Sequence, residues 1–355
     1  MPITRGTGNL LTAQVDALVN TVNTQGVMGK GIALQFKKAW PAMFRDYQAA
    51  SKRGDIVPGR VHVWETGLLS GPRFVINFPT KRHWREPSRL PDIEAGLADL
   101  ADVIRARGIT SIAIPPLGCG NGGLAWRDVE PVIHRALEPL AASVDIRVFP
   151  PSGAPAAEGQ PVAERRPTLT PARAALLAIM REYERLTFEP PTLIAAQKLA
   201  YFLQATGQPL RLEFVRGQYG PYADNLRKTL RAMEGHFIVG FGDGSAPVTA
   251  ADPIRVRPDV EDELNAFVAG DPATQDHIDA VMRSIEGFES SYGLELLASV
   301  HWVMAHDPEA RAEPTRAYED VREWNRRKAT LFTPTHVRAA WLALQDRELV
   351  HASEG

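Results

Sequence analysis

A chain of 355 residues exceeds what one ordinary globular core holds, and its 44% hydrophobic and 23% charged residues exclude extensive disorder. One cysteine, Cys119, excludes an internal disulfide and a cysteine zinc cage; with no run near the roughly 18 apolar residues of a membrane span and no N-terminal signal, a cytoplasmic protein without membrane contact is expected. The net charge of −2 divides unevenly: residues 1–154 hold 18 Lys+Arg against 13 Asp+Glu, and residues 168–355 hold 20 against 27. That suits a polyanion for the first half and a basic surface for the second, although scattered surface charge gives imbalances of the same size.

From the N-terminus, short branched apolar runs at 17–22, 61–65, 74–78, 111–115 and 146–149 predict buried strands. Helical spacing fills 32–40, 42–52, 92–107 and 127–141 between them. Strands alternating with helices predict a three-layer α/β domain with a largely parallel sheet. Six prolines with Ala, Gly and Ser between Pro150 and Pro171 then predict a semi-extended linker. Beyond it, apolar spacing near 3.6 predicts helices at 172–186, 193–206, 223–233, 260–269, 292–305, 317–329 and 334–349. Strands are expected only at 210–216 and 236–241, so the second half reads as a helix-rich α+β domain.

Two glycine loops follow strands of the first domain, where α/β sheets bind ligands. The first is Asn23-Thr24-Gln25-Gly26-Val27-Met28-Gly29-Lys30-Gly31, the second Leu117-Gly118-Cys119-Gly120-Asn121-Gly122-Gly123, and each leads into a helix. Glycine admits phosphate oxygens to backbone N–H groups and a helix N-terminus favours an anion, so two such loops could bracket a pyrophosphate. Tight strand-to-helix packing would explain either loop alone. Gly118-x-Gly120-x-x-Gly123 matches the dinucleotide pattern literally, but no acidic residue ends the following strand; Lys30 precedes glycine rather than Ser or Thr, so the first loop is not a P-loop. Hydride transfer and nucleoside triphosphate hydrolysis are therefore disfavoured.

The run Val15-Asp16-Ala17-Leu18-Val19-Asn20-Thr21-Val22-Asn23 with Gly26-Val27-Met28-Gly29-Lys30-Gly31-Ile32 resembles the opening of a macrodomain, an ADP-ribose-binding fold. Pro116-Leu117-Gly118-Cys119-Gly120-Asn121-Gly122-Gly123-Leu124-Ala125-Trp126 resembles that family's second phosphate loop. With Asn77-Phe78-Pro79-Thr80-Lys81 and the two-domain layout, the chain is similar to the macrodomain antitoxins of DarTG toxin–antitoxin systems. The resemblance implies a macrodomain at 1–152, a linker at 153–170 and a toxin-binding domain at 171–355. It implies an enzyme that removes ADP-ribose from thymine in single-stranded DNA, a DarT-type toxin bound by the second domain, and no cofactor. The alternatives are a reader that binds ADP-ribose without cleaving it, or a hydrolase of protein-linked ADP-ribose or ADP-ribose-1″-phosphate.

Cleaving an N-glycosidic bond needs the departing base stabilised and a nucleophile at the anomeric carbon. The resemblance gives the catalytic place to Lys81, as a donor to the thymine carbonyl or, with a depressed pKa, as a nucleophile. It places Asn23 on the distal ribose, as a catalytic residue, and leaves Asn20 to secure loop backbone. ADP-ribose binding is expected at Gly8, Asn9, Leu10, 26–32 and 118–123. Relatives that use the lysine carry an aspartate where Gly122 stands here, which favours Lys81 acting without a covalent intermediate. Asn9 replaces another family aspartate and could still accept from the adenine amino group. Cys119 reads as packing rather than as a nucleophile. Arg82, His83, Trp84 and Arg85 are candidates for DNA contact, by stacking and by phosphate pairing, or surface residues without function. No His, Asp and Glu grouping has metal-ligand spacing. In the second half, Phe214-Val215-Arg216-Gly217-Gln218-Tyr219-Gly220-Pro221-Tyr222 reads as a strand, a Gly-Pro corner and a helix, either a binding surface or a rigid turn. The acidic run Asp259-Val260-Glu261-Asp262-Glu263 could face a basic toxin, or simply favour a helix start.

Overall fold

Strand and helix alternate in the first half as the apolar spacing dictates: β1 (Thr4–Arg5), β2 (Ala17–Asn23), α1 (Gly31–Ala39), α2 (Pro41–Arg53), β3 (His62–Glu65), β4 (Phe74–Lys81), α3 (Leu90–Arg107), β5 (Ser111–Ile114), α4 (Trp126–Leu137) and β6 (Asp145–Val148). The structure is a computed structural model and describes residues 3–68, 70–151, 161–242, 244 and 252–347. The chain divides into two compact units, Met1–Arg165 and Arg166–Gly355. Residues 152–160 of the expected linker lie outside the described residues.

The first unit holds a six-stranded sheet in the order β1-β6-β5-β2-β4-β3, parallel except where β3 runs against β4. Because successive side chains of a strand point to opposite faces, β2 and β4 feed two cores at once. Ala17, Val19, Ile76 and Phe78 pack with Leu97 and Ile133 on the α3–α4 face. Leu18, Val22 and Val75 pack with Phe36, Met43 and Tyr47 on the α1–α2 face. The expected helix over 127–141 stops at Leu137 and continues as a 3₁₀ turn, Glu138–Leu140, since Pro139 cannot donate the next helical hydrogen bond.

The strand expected to end at Phe78 runs on to Lys81, passing Pro79. A proline inside a sheet is tolerated at a bulge, and here the pairing with β2 shifts between Val22 and Asn23, beside Pro79. The shift sets Asn23 opposite Lys81. Three residues earlier, Asn20 Nδ2 donates to Asn77 Oδ1 at 2.9 Å in full burial, and Asn77 Nδ2 lies 3.3 Å from His62 Nδ1 across β3. This buried polar rung fixes the β2–β4 register that the site depends on.

The second unit contains α5 (Pro171–Thr187), α6 (Leu193–Ala205), β7 (Phe214–Gly217), β8 (Gly220–Ala223), α7 (Asp224–Met233), β9 (Ile238–Val239), β10 (Arg255–Val256), α8 (Glu261–Ala269), α9 (Pro272–Ile285), α10 (Ser291–His306), α11 (Pro308–Ala312), α12 (Pro314–Trp324), α13 (Arg326–Leu331) and α14 (Pro334–Asp346). Its core gathers Leu177, Leu199, Phe202 and Leu297 from α5, α6 and α10. The single helix expected over 317–329 is two, because Asn325 adopts extended backbone and caps α13 by accepting from the Lys328 N–H at 2.9 Å. Helix α9 was not anticipated, although Asp271-Pro272 carries its N-terminal signature: the Asp271 side chain accepts from the Thr274 N–H. The strand expected at 210–216 begins only at Phe214, and β8 is an unanticipated partner strand rather than part of a corner. Among the described residues no helix is long and apolar enough to cross a membrane.

Candidate active site

The carboxyl ends of β2, β4 and β5 meet at one edge of the central sheet, and each carries a piece of the candidate site. The first glycine loop leaves β2 with Gly26 at φ 72° and enters α1 through Gly31 at φ 59°, left-handed conformations that a side chain would strain. Lys30 gives α1 no side-chain cap, and Ala125 gives none to α4 after the second loop. Each helix starts at the end of a glycine loop, where its dipole favours an anion. The loops approach each other: a Cβ on Gly31 would sit 3.4 Å from Asn121 Nδ2. Gly8, Asn9 and Leu10 lie on the segment before β2, where the Asn9 side chain accepts from the Leu11 N–H at 3.0 Å and starts a short 3₁₀ turn.

Lys81 is 9% exposed at the end of β4. Its Nζ donates to the Asn121 carbonyl at 2.8 Å and to the Trp84 carbonyl at 3.2 Å. Burial lowers its pKa from the ordinary lysine value. An ammonium has three donors, so two are spent holding the second loop and residues 82–88 and one remains for a substrate. The segment after Lys81 is fastened at both ends: the Arg82 carbonyl accepts from Thr24 Oγ1 at 2.5 Å, and the Ser88 N–H donates to the Gly122 carbonyl at 2.8 Å. Gly122 is packed so closely that a Cβ there would lie 2.2 Å from Ser88 Oγ and 2.4 Å from the Gly118 carbonyl oxygen. No side chain fits, so the missing aspartate has no room on this backbone.

Asn23, expected at the distal ribose, also shapes the first loop, with one amide hydrogen beyond the bonds below. Its Nδ2 donates to the Val27 carbonyl at 2.7 Å, and its Oδ1 accepts from the Gln25 N–H at 2.8 Å. Asn20, expected to secure the loop, donates from Nδ2 to Met28 Sδ of that loop at 3.9 Å as well as tying β2 to β4, so both asparagines hold it. Tyr47 was missed by the sequence reading: from α2 its hydroxyl donates to the Asn23 carbonyl at 2.6 Å, and burial pushes its pKa up to about 12. A fully buried tyrosine on an amphipathic helix was the available signal, and it looks like any core aromatic until the loop is in place.

The macro domain family model matches residues 19–133, which span both glycine loops and Lys81. The DNA ADP-ribosyl glycohydrolase of Mycobacterium tuberculosis is 47% identical over 350 residues, covering 95% of this chain and 97% of the relative. The chain belongs to the DarG family of DNA ADP-ribosyl glycohydrolases. The solved macrodomain of Mycobacterium tuberculosis DarG is 57% identical and covers 42% of this chain and 98% of that one, with a TM-score of 0.42. A fusion protein of Thermosipho africanus, named a DNA ADP-ribosyl transferase–DNA ADP-ribosyl glycohydrolase, is 34% identical over 154 residues, covering 39% of this chain and 40% of its own. Membership of the DarG family makes the chain a hydrolase with an α/β macrodomain in its first part and a helix-rich remainder.

Within this DarG-family chain the other candidates separate. Burial pushes the Cys119 thiol up to about 11, and Asp128 adds to the shift, so the thiolate a nucleophile needs is suppressed. Cys119 packs against the α3–α4 core. Arg82, Trp84 and Arg85 are all exposed, and Arg82 is paired with Asp92 through two hydrogen bonds of 2.7 and 3.2 Å. Among the described residues no group of three or more His, Cys, Asp and Glu could hold a metal ion. In the second unit the Tyr-Gly-Pro segment forms the β7–β8 hairpin, with Lys198 Nζ donating to the Pro221 carbonyl at 2.7 Å beneath it. The acidic run Asp259–Glu263 does open a helix, with Glu261, Asp262 and Glu263 in the first turn of α8.

Proposed function

We propose that this chain removes ADP-ribose from thymine in single-stranded DNA through residues 1–152, and that residues 171–355 bind and neutralise a DarT-type toxin. The observation that carries the catalytic half is Lys81: a buried amine at the carboxyl edge of the sheet, with two donors fixed on the Trp84 and Asn121 carbonyls and a third left over. The loops at 26–32 and 118–123 take the diphosphate, and Gly8, Asn9 and Leu10 border the adenine. Asn23 acts as a positioning residue that shapes the first loop.

In this reading the bond from the anomeric carbon to the thymine nitrogen breaks, and its electrons move onto the base. Lys81, as an ammonium, donates to the thymine carbonyl and stabilises that charge. Water then forms the new bond to the anomeric carbon and gives up a proton, the thymine nitrogen gains one from solvent, and ADP-ribose and the unmodified base are released. The absence of space for a carboxylate at Gly122 favours this route over a lysine adduct, which would need a partner to release it.

Support for the toxin partner comes from the acidic balance of residues 168–355 and from the Thermosipho africanus fusion, whose name joins transferase and glycohydrolase in one chain. Substrate choice is tested by incubating the chain with single-stranded DNA carrying ADP-ribosyl thymine and, separately, with ADP-ribosylated protein. Release from DNA is expected; release from protein alone would transfer the activity to the other substrate class.

A further inference from the structure

We propose that Trp84, with Arg85 beside it, is a stacking shelf for the nucleobase next to the modified thymine. The inference rests on the DNA reading of the function and adds what the polynucleotide, rather than the ADP-ribose, is held by. Trp84 is 46% exposed, an unusual position for an indole that no core requires. The His83 ring lies against it at 5.4 Å between centroids and 30° between planes. The Arg85 guanidinium carbon stands 4.4 Å from the indole centroid. Three flat groups, one of them cationic, are thus gathered on one short exposed turn, the surface on which unpaired bases stack irrespective of sequence.

The turn is held firmly and close to the reacting amine. The Trp84 carbonyl accepts from Lys81 Nζ, and the two residues are separated by three steps of backbone, at most about 11 Å. Arg82 is not part of the shelf: its guanidinium is committed to Asp92, and its carbonyl anchors the turn to Thr24. That division within residues 82–85 gives the turn a rigid base and an open tip. The surplus of Lys+Arg in residues 1–154 fits a polyanion crossing this edge.

The test uses the full chain and two readouts. First, binding of a fluorescein-labelled oligothymidylate without ADP-ribose is followed by anisotropy for wild type, Trp84→Ala and Trp84→Phe. Trp84→Ala is expected to weaken binding about tenfold or more, and Trp84→Phe to recover most of it. Equal dissociation constants for wild type and Trp84→Ala would overturn the shelf. Second, kcat/KM is compared on an ADP-ribosylated oligonucleotide and on ADP-ribosyl thymidine, the nucleoside alone. Trp84→Ala is expected to shrink the oligonucleotide's advantage about tenfold, through KM. A loss shared equally by both substrates would show that Trp84 only props Lys81 and would also overturn the shelf. If wild type cleaves neither substrate, the hydrolase reading falls, while the anisotropy result still decides whether the shelf exists.

Discussion

At the scale of single residues, the proposed mechanism needs Lys81 to be charged while partly desolvated. Burial lowers its pKa, while two carbonyls keep its hydrogens oriented. An ammonium donor loses its function on deprotonation, so kcat/KM is expected to fall as pH rises through the lowered Lys81 pKa, below the usual 10.5. A rate that climbs over that range would mark a neutral amine attacking carbon. Gly122 gives a second residue-level prediction. Gly122→Ala is expected to destabilise the first unit by about 2 kcal/mol or more, seen as a lower urea midpoint. Adding Ser88→Gly is not expected to rescue it, because the Gly118 carbonyl oxygen at 2.4 Å belongs to the backbone and cannot be trimmed.

Among elements, the β7–β8 hairpin shows how a buried base supports a turn. Gly220 sits at φ 93°, where a Cβ would meet Ser299 Oγ at 3.0 Å, and Lys198 beneath it has its pKa brought down to about 7 by burial and by the Lys328 charge. The unfolded chain binds that proton up to the usual 10.5, whereas the folded chain releases it near 7, so the Lys198 contribution to stability rises with pH between 7 and 10.5 and is lost below. Lys198→Met is expected to flatten that rise, which urea denaturation at several pH values would detect. Elements built on strong periodicity were legible in the sequence: β2, α3 and α6 start and stop within two residues of their expected ends. Those set by pairing or capping were not. β8 exists because β7 needs a partner, β4 passes a proline because the neighbouring strand absorbs a bulge, and Asn325 splits a continuous apolar pattern with its own backbone. The same limit applied at the site. The glycine loops and Lys81 stand out as residue types, but Tyr47 and Ser88 matter only through tertiary contacts.

For the whole molecule, each unit has its own apolar core, so the proposed hydrolysis and the proposed toxin binding need not share residues. The opposite charge balances of the halves accord with that separation. The proposed function depends on one amine in the first unit cleaving a sugar held by two glycine loops. Release of ADP-ribose from single-stranded DNA by Lys81→Ala, measured beside ADP-ribose affinity by calorimetry, tests it most directly. At least about a hundredfold loss of release is expected, with affinity within a few-fold of wild type. Release by Lys81→Ala at the wild-type rate would contradict it.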